Sequence, residues 1–182
     1  MRKLSLLDRL LLRVYWRLIR SDAGIRWLRR LHGVVSTLAP ARPTHVELSP
    51  GQAATMVPIE VRPSSVPGAG KGLFATAPIA AGTLIGEYCG DTVDTMLHRL
   101  RVKDWSYVAT TRDPVICVDA RFRPEVMVRY MNHHFDPACR NTDMIWPPER
   151  GERRYMVATR DIAAGEELFY DYGDVYWKLH RR

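Results

Sequence analysis

Tyr170 and Tyr172 stand two residues apart in the run Gly165-Glu-Glu-Leu-Phe-Tyr-Asp-Tyr-Gly173-Asp174. In an extended chain that spacing puts both phenols on one face. Two phenols on one face either wall a narrow slot or pack as ordinary strand residues. Upstream, Gly68-Ala-Gly70-Lys71-Gly72-Leu73-Phe74 holds glycines that permit positive φ and close approach of the backbone to a ligand; a plain turn is the competing reading. It is not a P-loop, because Gly72 follows Lys71 where Ser or Thr is needed and Ser65 stands where the first glycine should be. Nor is it a dinucleotide fingerprint, since Pro67 precedes it and the strand-like Leu73-Phe74-Ala75 follows. His133 and His134 close the run Arg129-Tyr-Met-Asn132-His133-His134. Adjacent side chains diverge and no third ligand sits nearby at a metal spacing, so no metal site is expected. Tyr88, in Glu87-Tyr88-Cys89-Gly90, reads by itself as a half-buried strand tyrosine.

The elements that must position these residues are short. β-rich runs alternate with Gly and Pro punctuation: Met56–Arg62, Gly72–Ala75, Thr83–Cys89, Trp105–Thr110, Val115–Asp119, Tyr155–Thr159 and Glu167–Tyr170. Helical pieces are expected near Thr95–Lys103 and Pro124–Met131, where Pro124 suits a first turn. Many short strands with few helices predict a mainly β, non-Rossmann domain over residues 56–182. Residues 39–55 read as a linker, with Pro40, Pro43, Pro50 and Gly51. Residues 1–38 form a basic amphipathic helical extension. Over 4–20, Leu6, Leu7, Leu10, Leu11, Val14 and Leu18 recur at helical spacing, and Arg9, Arg13, Arg17 and Arg20 take another face, with Arg2 a heptad earlier.

Charge is distributed to match. The net charge is +7, yet residues 1–45 alone carry ten Lys or Arg against Asp8 and Asp22. The rest of the chain is close to neutral, so charge alone does not make the folded part a nucleic-acid binder. An apolar fraction of 46 % fits a globular protein. Three cysteines, Cys89, Cys117 and Cys139, without a CxxC pair, fit reduced thiols in an intracellular protein rather than a disulfide framework or a self-contained zinc site. Arg9 and Arg13 interrupt the N-terminal apolar run, which excludes a secretory signal, and no stretch reaches the length that spans a bilayer.

Together and in order, these segments resemble the SET domain of protein lysine methyltransferases, from about Val61 to Trp177. Pro67-Gly-Ala-Gly-Lys-Gly-Leu-Phe-Ala75 is similar to its opening Gly-x-Gly segment, and Glu87-Tyr88-Cys89-Gly90 to its Tyr-x-Gly segment. Cys117-Val-Asp119-Ala120-Arg121 resembles its Ile-Asp-Ala segment, and Arg129-Tyr-Met-Asn132-His133 its Arg-Phe-x-Asn-His segment. Gly165 to Gly173 resembles its closing segment, and Tyr170-Asp-Tyr-Gly-Asp174 with Tyr176-Trp177 is most similar to histone lysine methyltransferases. The resemblance implies a β-clip fold with a knot-like closing strand and S-adenosylmethionine as methyl donor. It implies that Gly70, Lys71, Gly72 and Leu73 cradle the donor and that Asn132 and His133 hold its amino-acid end and adenine. Tyr107, Tyr172 and Trp177 would also border the donor. Tyr172 is the implied catalytic tyrosine, with Tyr88, Tyr107 and Tyr170 lining a lysine channel. A ring face tolerates a cation and a phenol oxygen accepts a hydrogen bond, which suits such a channel. In the family, tyrosine at the Tyr170 position tends to limit transfer to one methyl group, so monomethylation is expected.

The chain departs from the family where Ser-Cys-x-Pro-Asn usually follows Asn-His. It reads His134-Phe-Asp-Pro-Ala138-Cys139 instead, and the cysteine-rich segments that flank some SET domains are missing. Tyr176, Trp177 and the tail to Arg182 are then expected to close the lysine channel, and the segment between Asp91 and Val118 to present part of the substrate groove. The expected partner is a histone or other basic protein. An alternative is a catalytically weak SET-fold binding module, brought by residues 1–30 to an anionic membrane surface, a nucleic acid or a partner protein. The expected location is the nucleus or chromosome in a eukaryote and the cytoplasm in a bacterium. The Arg-rich N-terminus leaves mitochondrial import as the alternative.

Overall fold

A computed structural model describes residues 57–94, 105–110, 116–146 and 153–180, with scattered positions between Leu10 and Arg30. The linker 39–55, the expected helix Thr95–Lys103, and Arg2, Leu6, Leu7, Arg9, Leu11 and Arg20 lie outside the described residues. The elements run β1 (Ile59–Pro63), β2 (Lys71–Ala75), β3 (Leu84–Glu87), β4 (Asp91–Asp94), β5 (Val108–Thr110), β6 (Ile116–Asp119), η1 (Met127–Tyr130), β7 (Asn132–His133), η2 (Pro137–Cys139), β8 (Thr142–Ile145), β9 (Tyr155–Ala158), β10 (Phe169–Tyr170) and α1 (Gly173–His180). The mainly β architecture expected from the sequence is observed.

The chain divides into two compact units. One comprises Glu47–Gly90 and Asp119–Tyr172, the other Met1–Val46, Asp91–Val118 and Gly173–Arg182. In the first, β1 and β2 form an antiparallel hairpin that pairs Ile59 with Ala75 and Pro63 with Lys71. Pro63 donates nothing to a ladder, and it sits at the end of this two-stranded pair, where that costs least. A three-stranded antiparallel sheet has the order β3-β9-β8. Its middle strand carries the deepest side chains: Tyr155, Met156 and Ala158 are buried, and Leu73, Ile85, Met131, Ile162 and Leu168 complete the core. Such burial of large apolar side chains contributes about 1.5–3 kcal/mol each.

The piece beginning at Pro124 is shorter than the sequence predicts. Only Met127–Tyr130 is helical, as a 3₁₀ turn with no side-chain cap at Val126. The chain must become extended again at Met131, φ −69 and ψ 129, because Asn132 and His133 enter a strand. That strand is parallel to β10, with Asn132 opposite Phe169 and His133 opposite Tyr170.

In the second unit, β4, β6 and β5 form a three-stranded sheet in the order β4-β6-β5. Val93, Trp105 and Cys117 form its buried cluster, with Val108 packed against them. Residues 173–180, expected only as a tail, form helix α1. Its Tyr176 meets Trp177 edge-on at 5.1 Å and stacks on His180 at 3.9 Å. At the N-terminus, the described positions Leu10, Arg13, Val14, Arg17 and Leu18 are helical. The chain turns at Ser21, whose Oγ accepts the Gly24 N–H at 3.1 Å and so caps a second helical stretch. A side chain at Gly24 would collide with the Leu18 carbonyl, 2.2 Å from an added Cβ.

Candidate active site

The site is built around the closing segment Glu166–Tyr172. Its backbone is gripped from several sides. The Leu168 N–H donates to the Leu73 carbonyl at 2.8 Å, and the Ala75 N–H to the Glu166 carbonyl at 3.0 Å. On another flank lies β7, through the parallel pair. Asn141, fully buried, donates to the Glu167 carbonyl at 2.8 Å and accepts the Phe169 N–H at 2.8 Å. Thr142 Oγ1 donates to the Phe169 carbonyl at 2.8 Å. Residues 133–141 thus leave one flank of the closing strand and return to the other, the knot-like connection that the resemblance implied.

The Gly68–Gly72 turn is held by one carboxylate. Glu167 is buried and accepts from Ser64 Oγ at 2.7 Å, the Ser65 N–H at 2.7 Å and Ser65 Oγ at 2.6 Å. Asn132 Nδ2 donates to the Lys71 carbonyl at 2.8 Å and approaches Glu167 Oε1 at 3.3 Å. The turn and Asn132 therefore share an anchor. A Cβ at Gly72 would lie 2.1 Å from Glu167 Oε1 and 3.1 Å from the Phe74 ring. Glu167 cannot swing aside without breaking its bonds to Ser64 and Ser65. At Gly70 the constraint is backbone, φ 77, and among the described residues nothing beyond its chain neighbours lies within 4 Å of where its Cβ would sit. The space above Gly70 is open to a ligand, and the polar backbone of the turn borders it.

The phenols gather at the other end of the closing segment. Tyr170 and Tyr172 have ring centroids 4.9 Å apart, tilted by 56°. Tyr172 Oη donates to the Met131 carbonyl at 2.8 Å. With its proton so committed, its lone pairs point elsewhere and can accept a donor. The Tyr172 N–H donates to His133 Nδ1 at 3.2 Å, which orients the His133 ring; that ring also meets Phe135 edge-on at 4.8 Å. Tyr88 is buried, and its N–H donates to the Arg154 carbonyl at 3.0 Å. Burial, and after it the Tyr172 phenol, push the Tyr88 hydroxyl far above the ordinary phenol range, so it stays protonated. The glycine after it is required: a Cβ at Gly90 would lie 2.4 Å from the Asp119 carbonyl oxygen. The Tyr88-Cys89-Gly90 and Asp119-Ala120-Arg121 segments therefore touch backbone to backbone. Burial also pushes the Cys89 thiol up to about 11, with Glu87 and Glu125 adding to the effect.

Of the residues expected at the site, Tyr88, Tyr170, Tyr172, Gly70, Lys71, Gly72, Leu73, Asn132 and His133 all belong to the first unit. Tyr107, half-buried just before β5, and Trp177, half-buried in α1, belong to the second. The departures from the family pattern have local explanations. His134 stacks obliquely on Phe169 at 5.1 Å. Ala138 lies in η2, whose N-cap Asp136 accepts the Ala138 N–H at 2.9 Å and holds the turn. Sequence reasoning missed Ser64, Ser65, Asn141 and Glu167. Their partners lie far away in sequence, and no local pattern marks them.

Comparison with known proteins agrees with this geometry. The SET domain family model matches residues 70–173, more than half of the chain. An H3 lysine-4 specific histone-lysine N-methyltransferase of Yarrowia lipolytica is 38% identical over 108 residues, 56% of this chain and 9% of that protein. The N-lysine methyltransferase KMT5A-A of Danio rerio is 31% identical over 118 residues, 60% of this chain and 34% of that protein. The chain thus spans 9% and 34% of the lengths of these relatives. Among solved structures, ctPRC2 in an autoinhibited conformation bound to S-adenosylmethionine superposes with a TM-score of 0.52 at 28% identity, covering 68% of this chain and 16% of that one. The family model, the shared fold and the paired tyrosines lead to one conclusion: the chain belongs to the SET-domain family.

Proposed function

We propose that the protein transfers a methyl group from S-adenosylmethionine to a lysine side chain of a histone or other basic protein, and that it stops at one methyl. The observation that carries this reading is the placement of Tyr172: its backbone is tied to His133 and its hydroxyl proton to Met131, beside the Tyr170 ring. S-adenosylmethionine, when bound, supplies an electrophilic methyl on a positively charged sulfur. Gly70, Lys71, Gly72 and Leu73 would hold its methionine part, and Asn132 and His133 its amino-acid end and adenine.

The target lysine must lose its proton, and its free pKa is about 10.4. A phenol-lined channel desolvates the ammonium and lowers that value, so the proton can leave to solvent. Tyr172 Oη, its own proton given to Met131, accepts from the amine and aims the nitrogen lone pair; orientation of this kind supplies much of the rate. Tyr88 remains a neutral wall. The Tyr170 hydroxyl would hold a water in the space that a methylated amine needs, and transfer would then stop at one methyl.

The test is transfer of labelled methyl to core histones and cell extract by the wild type and Tyr172→Phe. Label on lysine should fall by roughly 100-fold or more in the variant, while donor binding by calorimetry persists. A wild type that neither labels protein nor binds S-adenosylmethionine overturns the reading and favours the binding module instead. We propose further that the N-terminal segment delivers the enzyme to an anionic membrane surface. Leu10, Val14 and Trp27 are exposed there beside exposed Arg13, Arg17, Arg26 and Arg30, a pairing that suits lipid headgroups over acyl chains. Sedimentation with vesicles of neutral and of anionic lipid distinguishes this from mere solvation, which would give no anionic preference.

A further inference from the structure

Arg140 touches the residues that directly follow the two paired strands β7 and β10. It follows η2 on the loop that runs from His133 back to Asn141. Its Nε donates to the His134 carbonyl at 2.8 Å, and its Nη1 pairs with the Asp171 carboxylate. The other oxygen of that carboxylate lies 3.5 Å from His133 Nδ1. The same ring nitrogen accepts the Tyr172 N–H. One guanidinium therefore reaches the residue after His133 and the residue before Tyr172. Its planar fork can serve a carbonyl and a carboxylate together, which an ammonium cannot do in one fixed geometry.

We propose that Arg140 is a positioning residue for methyl transfer: it latches the 133–140 loop to the closing strand and thereby fixes the orientation of Asn132 and His133 for the donor. The proposal rests on the methyltransferase reading above. A second consequence follows from the charges around His133. Its imidazole is held below the ordinary value, first by burial and then by Arg140, with His134 acting in the same direction and Asp171 opposing them. His133 Nδ1 must be unprotonated to accept the Tyr172 N–H. Removing the Arg140 charge leaves the opposing pull of Asp171 on His133 less countered, so the imidazole should protonate at higher pH.

The experiment uses the full chain as wild type, Arg140→Gln and Arg140→Lys, with three readouts: S-adenosylmethionine affinity by calorimetry, His133 titration by NMR, and methyl transfer against pH. Arg140→Gln should weaken donor binding on the order of tenfold, raise the His133 midpoint and move the acid limb of activity to higher pH. Arg140→Lys should return the midpoint toward wild type while recovering only part of the affinity. Unchanged donor affinity or an unchanged His133 midpoint in Arg140→Gln overturns the latch. If Arg140→Gln melts early, the lysine variant decides, since wild-type affinity there also overturns it. Should both variants shift His133 and donor binding as expected while no protein accepts methyl, the latch stands and the proposed reaction falls.

Discussion

At the Gly68–Gly72 turn, shape comes from polar bonds converging on one buried carboxylate, Glu167, with a glycine pressed against it. At Tyr170 and Tyr172, shape comes from strand register and ring packing, with the Tyr172 hydroxyl bonded to the Met131 carbonyl. The difference bears on how each region fails. A buried charge that loses partners is costly, so damage at the turn should be close to all-or-none. A ring that loses its hydroxyl keeps its packing, so damage at the tyrosines should change what the site does while leaving it folded.

The largest expected effect is at the turn. Gly72→Ala forces a methyl into Glu167 and should weaken S-adenosylmethionine binding by about 100-fold; wild-type affinity by calorimetry would erase the contrast between the two regions. Next comes the frame behind both. Asn141→Leu leaves the Phe169 N–H and the Glu167 carbonyl short of a partner, at a cost of roughly 3 kcal/mol. Calorimetric melting should fall by about 6–12 °C. The smallest change in rate is expected at Tyr170: Tyr170→Phe should hold turnover within a few-fold while dimethyl product accumulates in mass spectra. A purely monomethyl product from that variant would refute the proposed role of the Tyr170 hydroxyl.

The strands that alternate or carry β-branched runs were legible: Gly72–Ala75, Val115–Asp119 and Tyr155–Thr159 correspond to β2, β6 and β9 within a residue or two. Those with acidic residues were not. Asp91-Thr-Val-Asp94 and Thr142-Asp-Met-Ile145 have weak strand propensity, and their state is set by neighbours in the sheet. Helix α1 was missed because it opens on Gly173, whose positive φ reads as the end of a strand rather than the start of a helix. At the site, Tyr88, Tyr170, Tyr172, Asn132 and His133 were named from spaced segments. Glu167 was read only as a strand residue, because its meaning lies in Ser64 and Ser65, about a hundred positions away. Arg140 shows the same limit: nothing beside it in sequence points to Asp171.

The parallel pairing of Asn132–His133 with Phe169–Tyr170 also has a kinetic side. It is a ladder of two residues joining distant parts of the chain, so loop closure must precede any gain from it. The β1–β2 hairpin and the β8–β9 pair are far more local and can form first. The tyrosines are then brought against the glycine turn late, when the last strand is inserted. A nascent or partly unfolded chain would hold most of its secondary structure and yet lack the proposed methyl-transfer site.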